Sequence, residues 1–142
     1  MGTLNVSLFS LFLAQFLKIF TQKPFDLSRI IGSGGMPSSH AAFVSTLSTT
    51  IGLRYGFQSD LFAIVTVFSL VIIYDASGVR RAVGEQANVL NKMIKHLGLT
   101  QNNNPEKNII LEDLKELVGH TPVEVLIGTM LGISIALFNY FV

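Results

Sequence analysis

Two short glycine-containing segments each bring a histidine to the predicted start of a helix. The first, residues 34–40, reads Gly-Gly-Met-Pro-Ser-Ser-His. Glycine permits tight backbone geometry, serine is a favoured N-cap, and the free N–H groups of a helix's first turn attract an anion. His40 would then project beside a bound anion. The alternative is a plain capped helix start with a histidine at the level of membrane headgroups.

The second segment, residues 119–124, reads Gly-His-Thr-Pro-Val-Glu. His120 and Glu124 are four residues apart, so on a helix the carboxylate can reach the imidazole and fix its tautomer. A neutral histidine held in this way is a better nucleophile or base. A capping box also explains Glu124, with Thr121 as the N-cap and Pro122 in the first helical position. The capping box leaves His120 without a role.

A third polar segment, residues 75–85, reads Asp-Ala-Ser-Gly-Val-Arg-Arg-Ala-Val-Gly-Glu. The adjacent Arg80 and Arg81 could bind phosphate oxygens through paired hydrogen bonds. Alternatively, each arginine only follows the positive-inside rule or contacts anionic lipid headgroups. Asp75 ends an apolar run, where an unpaired carboxylate is costly, so we expect Arg80 or Arg81 to pair with it.

The composition of the chain indicates that a membrane protein positions these segments. Of its 142 residues, 49% are apolar and 13% are charged, and the mean hydropathy is +0.53. Soluble domains carry about 25% charged residues. A bilayer core about 30 Å thick needs about 20 mostly apolar residues in a helix. Four apolar runs predict such helices, at residues 4–20, 39–53, 61–74 and 122–142.

Small residues predict how these helices pack. The second run is rich in serine and threonine, which permit close packing, so we expect it inside the bundle. The fourth carries Gly128 and Gly132 at the spacing of a small-xxx-small packing face. The third is expected to end at Asp75. Because no Pro/Ser-rich linker divides the runs, we predict a single domain over residues 1–142.

A long polar stretch separates the third and fourth runs. Its pattern predicts an amphipathic helix around residues 88–97, a loop at 98–105 and a second amphipathic helix at 109–118. Nine of the ten basic residues lie on the membrane side that holds this stretch. The four apolar runs predict an all-α integral membrane protein, which we expect in the plasma or inner membrane, and the positive-inside rule assigns this stretch to the cytoplasmic side. The protein would have about four transmembrane helices, two short amphipathic helices in a cytoplasmic segment, and both termini outside.

Three signatures resemble the phosphatidic acid phosphatase and vanadium-dependent haloperoxidase superfamily, in particular its divergent bacterial and plant membrane branch. They are Gly-Gly-Met-Pro-Ser-Ser-His at residues 34–40, Tyr-Asp-Ala-Ser-Gly-Val-Arg-Arg at 74–81 and Gly-His-Thr-Pro-Val-Glu-Val-Leu-Ile-Gly at 119–128. With the helix pattern between them, the resemblance covers nearly the whole chain. It implies a membrane phosphatase that uses neither a metal nor another cofactor.

The resemblance also implies roles for individual residues. His120 would be the nucleophile that attacks phosphorus, Glu124 would orient it in place of an aspartate, and His40 would protonate the leaving oxygen. The superfamily's Lys-x6-Arg-Pro element is missing here, as is the Ser-Arg pair before the nucleophile. Candidate phosphate-binding residues therefore come from several segments: Ser38, Ser39, Arg80, Arg81, Lys18, Lys23 and Arg29. Three further residues would support them: Asp75, Gly34 and Gly35.

Three functions are compatible with these residues. The first is a phosphohydrolase that cleaves a lipid phosphate or pyrophosphate through a phosphohistidine at His120. The second is a regulatory membrane protein that binds phosphate or lipid headgroups without turnover, which the missing clamp element favours. The third uses a metal, because residues 75–85 loosely resemble the Asp-Gly-x2-Ala-Arg motif of membrane phosphoalcohol transferases, although the later aspartates are missing.

The expected partners follow from the first two hypotheses. They are a lipid phosphate and the membrane itself, and no nucleic acid. A homodimer is a further expectation, because typical superfamily members have more membrane helices than the four predicted here.

Overall fold

The structure, a computed structural model, describes residues 2–21, 35–96 and 119–142, which are helical apart from short connections. In chain order the elements are α1 (Thr3–Thr21), α2 (Ser39–Tyr55), α3 (Asp60–Tyr74), a π-helical turn (Asp75–Val79), α4 (Arg80–His96) and α5 (Pro122–Phe141). These described ranges contain no strand. The prediction of an all-α fold is confirmed.

Within the described ranges, three helical segments are long and apolar enough to cross a membrane: Thr3–Thr21, Asp60–Ile94 and Pro122–Phe141. The remaining helix, α2, has 17 residues and packs against α1, α3 and α5. Each of the four predicted apolar runs is therefore a helix, and the chain is a multi-pass membrane protein with α2 at its centre.

The central position of α2 suits its small polar side chains, which find partners in neighbouring helices. The Thr46 hydroxyl lies 2.8 Å from the carbonyl oxygen of Ala42 and 3.0 Å from that of Gly132 in α5. The hydroxyls of Ser48 in α2 and Thr66 in α3 are 2.8 Å apart. The interior position predicted from the serine and threonine content is confirmed.

Two glycines let α5 lie directly against the start of α2. A Cβ atom at Gly128 would collide with the carbonyl oxygen of Ser38, and one at Gly132 would collide with that of Ala42. The predicted small-xxx-small face is therefore a packing face. The contact residues are four positions further along both helices at the second glycine, so α2 and α5 run parallel and begin at the same end of the bundle.

The third α-helix ends at Tyr74, as its apolar run predicts, but the expectation that the helical segment itself ends at Asp75 is wrong. The helix continues through the π-helical turn into α4, and Asp60–Ile94 is one segment of 35 residues. Asp75 pairs with Arg80 inside this segment, so its charge gives the chain no reason to leave the helix. The amphipathic pattern at residues 88–96 falls within α4, whereas the predicted loop at 98–105 and helix at 109–118 lie outside the described residues.

The polar segments meet at one end of the bundle, where α2 and α5 begin and α1 and α3 end, and which we name the site end. There, Lys18 Nζ in α1 donates to Ser39 Oγ at 3.3 Å. The Ser38 N–H donates to the carbonyl oxygen of Glu124 in α5 at 3.0 Å. A short turn at residues 56–59 joins α2 to α3 at the opposite end.

Candidate functional site

His120 and Glu124 form a hydrogen-bonded pair at the start of α5. His120 Nδ1 lies 3.0 Å from Glu124 Oε2, and the imidazole is 4% exposed. The same oxygen accepts the Thr121 N–H at 3.1 Å, and the Thr121 hydroxyl accepts the Glu124 N–H at 3.3 Å. One carboxylate thus closes a capping box and contacts the histidine. A carboxylate beside Nδ1 favours a proton there, which leaves a lone pair on Nε2.

Two backbone contacts hold the segment around His120 against the long helix. The His120 N–H donates to the carbonyl oxygen of Ala76 in the π-helical turn at 3.0 Å. Gly119 lies so close to α4 that a Cβ atom would collide with the backbone of Arg81. Sequence reasoning missed the Ala76 contact, because a backbone carbonyl leaves no signal in the residue types.

His40 occupies the second position of α2 and faces His120. The centroids of the two imidazole rings are 6.3 Å apart, with an interplanar angle of 61°. His40 is exposed, whereas His120 is buried. The Ser38 hydroxyl accepts the Ala41 N–H at 3.3 Å. The backbone N–H of Ser38 donates to the backbone carbonyl oxygen of Glu124. The first turns of α2 and α5 therefore lie side by side, and the positive ends of two helix dipoles favour an anion between them.

Lys18 brings a positive charge to the site end from the last turn of α1. Its side chain is buried, with 7% exposed, and donates to the Ser39 hydroxyl. The ammonium group is also close enough to Glu124 and His40 to interact with both electrostatically. Among the candidate phosphate-binding residues, Lys18 and Ser39 are therefore in direct contact.

The two adjacent arginines at the start of α4 have different partners. Arg80 Nε lies 2.7 Å from Asp75 Oδ2, whereas Arg81 Nε lies 3.0 Å from Glu85 Oε1. Arg80 also interacts electrostatically with His40. The expected pairing of Asp75 with an arginine is confirmed, and Arg80 is the partner.

The remaining candidate residues lie before α2. Gly35 is buried and has a φ of 91°, a conformation that favours glycine. The Thr21 hydroxyl donates to the carbonyl oxygen of Met36, a contact between α1 and this segment that sequence reasoning missed. Three candidates lie outside the described residues: Gly34, Lys23 and Arg29.

The acidic residues needed for the metal hypothesis already have partners. Asp75 pairs with Arg80 and Glu85 pairs with Arg81. Within the described ranges, no three His, Asp or Glu side chains are grouped as metal ligands would be. The arrangement at the site end is instead a histidine pair with the Glu124 carboxylate on His120 and the positive charges of Lys18 and Arg80 acting on His40.

Sequence comparison assigns the chain to a known family. The family model described as "Divergent PAP2 family" matches residues 2–135. The chain belongs to the divergent PAP2 family. It is 39% identical over 140 residues to the uncharacterized membrane protein YuiD of Bacillus subtilis (strain 168), and the match covers 92% of this chain and 89% of that protein. No solved structure matches the chain.

Membership of the divergent PAP2 family confirms the resemblance to the membrane branch found in the sequence. The match runs from α1 to α5 and so includes Lys18, His40, Arg80, His120 and Glu124. The kinship with vanadium-dependent haloperoxidases stays a prediction.

Proposed function

We propose that this divergent PAP2 protein is a membrane phosphatase that hydrolyses a lipid phosphate or pyrophosphate through a phosphohistidine at His120. The observation that carries the proposal is the histidine pair. His120 has Nδ1 on Glu124 and faces His40 with ring centroids 6.3 Å apart. A nucleophile, its orienting carboxylate and a second proton-transfer group are the parts that this reaction needs.

The reaction proceeds in two displacements. His120 Nε2 attacks phosphorus, and an N–P bond forms as the P–O bond to the lipid breaks. His40, in its protonated form, gives a proton to the leaving oxygen. Neutral His40 then removes a proton from a water molecule, which attacks phosphorus and breaks the N–P bond. Inorganic phosphate leaves, and His40 is protonated again as at the start.

Positive groups around the histidines would stabilise the charge on the transferring phosphoryl group. The adjacent first turns of α2 and α5 direct N–H groups and dipoles to the site end. Lys18 and Arg80 supply full charges near His40. Phosphoryl transfer depends on such preorganised charge more than on covalent chemistry by the protein.

The position of the site favours a substrate anchored in the bilayer. α1 and α5 have 19 and 20 residues, which is about 30 Å of helix and matches one bilayer core. The histidine pair lies at the end of these helices and therefore near the headgroup layer. A lipid can present its phosphate there while its tail stays in the membrane.

An activity assay tests the proposal. Purified protein is incubated with phosphatidic acid and with a lipid pyrophosphate, in excess EDTA. We expect hydrolysis that His120→Ala abolishes and His40→Ala reduces by about 10²-fold or more, the usual contribution of a general acid. His96→Ala is the matched control, because His96 is an exposed histidine of α4. A labelled phosphohistidine in the wild type that is missing in His120→Ala would support the covalent step.

A non-catalytic phosphate-binding or headgroup-binding regulator is the second candidate. The missing Lys-x6-Arg-Pro element favours it, and so does the pairing of Arg80 and Arg81 with carboxylates. Binding of phosphate without hydrolysis of any lipid phosphate would favour this candidate. Hydrolysis that EDTA abolishes would instead favour the metal-dependent hypothesis.

We also propose that the site end faces the cytoplasm and that both termini lie outside, because nine of the ten basic residues flank that end. The chain has no cysteine, so single-cysteine labelling in whole cells tests the orientation. Gln86→Cys on α4 should be protected from an impermeant reagent, and Gln58→Cys in the opposite turn should react. The reverse pattern would contradict the orientation.

A homodimer is the third part of the proposal. α3 buries only Ser69 among its 15 residues and exposes large apolar side chains such as Phe68. A second copy could cover this helix and supply the further membrane helices of typical superfamily members. Native mass spectrometry in mild detergent should detect a dimer, and Phe68→Cys should form a cross-link between copies. A monomer without a cross-link would contradict the dimer.

A further inference from the structure

Arg80 and Arg81 are equally exposed neighbours, but their ion pairs run in opposite directions along the helix. Their side chains are 50% and 48% exposed. Arg81 pairs with Glu85, four residues further along α4, which is the usual spacing on a regular helix. Arg80 pairs backwards with Asp75, five residues earlier.

The π-helical turn makes the pair between Asp75 and Arg80 possible. Side chains five residues apart on a regular α-helix point about 140° away from each other. Here the Arg80 N–H bonds the Asp75 carbonyl oxygen, which is the five-residue hydrogen bond of a π turn. The wider turn brings both side chains to one face, so that Arg80 Nε and Asp75 Oδ2 come within 2.7 Å.

The same turn is fixed to the histidine site. The Ala76 carbonyl oxygen accepts the N–H of His120 at 3.0 Å. The backbone of Arg81 lies against Gly119 with no room for a Cβ atom. Arg80 lies between these two contacts in the sequence, and its charge is close enough to act on His40. The two backbone contacts therefore fix the segment that carries Arg80 relative to the histidine site.

We propose that Arg80, braced by Asp75 across the π-helical turn, binds the phosphoryl oxygens of the substrate, and that Arg81 does not. This inference rests on the proposed phosphatase function and assigns a phosphate-binding subsite to a segment outside the missing Lys-x6-Arg-Pro element. A guanidinium has five N–H donors in a planar fork. Asp75 accepts the Nε–H donor, and the four N–H donors that remain are enough for a bidentate contact with two phosphate oxygens. Asp75 is a positioning residue that fixes the plane of the fork.

Four variants test the assignment in purified protein: Arg80→Gln, Arg80→Lys, Asp75→Asn and the matched control Arg81→Gln. One measurement is the inhibition of lipid phosphate hydrolysis by inorganic phosphate, together with direct phosphate binding by calorimetry. The other is kcat and KM on phosphatidic acid in mixed micelles. Arg80→Lys keeps the positive charge and an ion-pairing group but loses the fork, so it reports on the contact even if Arg80→Gln does not fold.

We expect Arg80→Gln to weaken phosphate binding about tenfold, the cost of about 1.4 kcal/mol of contact, and to lower kcat/KM by about 10²-fold or more. Arg80→Lys should recover part of this loss, and Asp75→Asn should mainly raise KM. Arg81→Gln should behave as the wild type. Equal effects of Arg80→Gln and Arg81→Gln, or no effect of Arg80→Gln and Arg80→Lys, would overturn the assignment.

Further arms separate the sources of phosphate and the two proposals. If the Arg80 effect depends on added phosphatidylglycerol and phosphate binding is unchanged, Arg80 only contacts headgroups and the assignment is wrong. If the wild type binds phosphate through Arg80 but hydrolyses no lipid, the subsite stands and the phosphatase proposal fails. If the wild type hydrolyses lipid and Arg80 is dispensable, the phosphatase proposal stands and the assignment of the subsite to Arg80 fails. A wild type that neither binds phosphate nor hydrolyses lipid would overturn both.

Discussion

Oε2 of Glu124 has two roles, and substitutions at two neighbouring positions should separate them. This oxygen accepts the Thr121 N–H at 3.1 Å in the capping box and lies 3.0 Å from His120 Nδ1. In Glu124→Gln the amide oxygen can take the same place and keep both hydrogen bonds, but it carries no charge. Thr121→Ala removes the hydroxyl that accepts the Glu124 N–H and leaves the carboxylate beside His120.

The expected magnitudes differ for the two variants. Hydrogen bonds to charged groups contribute about 1.5–3 kcal/mol, against about 0.5–1.5 for neutral ones. Glu124→Gln therefore loses about 1–1.5 kcal/mol in stabilising the imidazolium formed during phosphoryl transfer, which is roughly tenfold in kcat. If the amide instead turns its NH₂ group to Nδ1, the proton moves to Nε2 and the loss approaches about 10⁴-fold. Thr121→Ala should cost about 1 kcal/mol of stability through the lost N-cap, with kcat unchanged.

The assay combines two measurements in one detergent. Circular dichroism follows thermal unfolding, and phosphate release from a lipid phosphate gives kcat and KM. Glu124→Gln should unfold with the wild type and lose activity, whereas Thr121→Ala should unfold earlier and keep activity. If both variants lose activity and stability in parallel, Glu124 acts only as a capping residue. Full kcat in Glu124→Gln would refute the orienting role.

Two further predictions concern how the site is held and charged. Gly119→Ala should lower kcat about tenfold or more, because a Cβ atom there would collide with the Arg81 backbone and shift the segment that carries His120. A misplacement of a reacting group by about 1 Å can lower the rate about 10²-fold. Gly2→Ala is its control, because a Cβ there meets only the Asn5 side chain at ordinary contact distance. Equal loss in both would contradict this explanation. Lys18→Met removes a positive charge from the site end and should therefore weaken inhibition by inorganic phosphate. The unfolding temperature should not fall, because a buried charge in a membrane helix is costly and methionine removes that cost. A lower unfolding temperature with unchanged phosphate inhibition would instead assign Lys18 a structural role.

Local features of the site could be predicted because they depend on spacing along one helix. His120 and Glu124 are four residues apart, and the regular helix that begins at Pro122 brings them together. The capping box is likewise a property of four consecutive residues. Composition was sufficient for the bundle interior, since hydroxyl side chains in an apolar helix need partners in neighbouring helices.

The third polar segment shows where such reasoning fails. An acidic residue after an apolar run predicted a helix end at Asp75, but the chain continues as helix through a π turn. Regular helix geometry does not favour an ion pair between residues five positions apart, such as Asp75 and Arg80. The sequence pattern therefore did not distinguish Arg80 from Arg81. Only the wider turn distinguishes them.

The sequence by itself determined the four apolar helices, the two capped helix starts that carry His40 and His120, and the family. These follow from hydrophobic length, N-cap chemistry and motif, all of which act over a few residues. The tertiary structure alone decided that His40 faces His120, that Lys18 reaches Ser39, and that the π-helical turn binds the backbone of His120. These contacts join segments far apart in the chain, and their register depends on how closely α5 approaches α2 at its glycines.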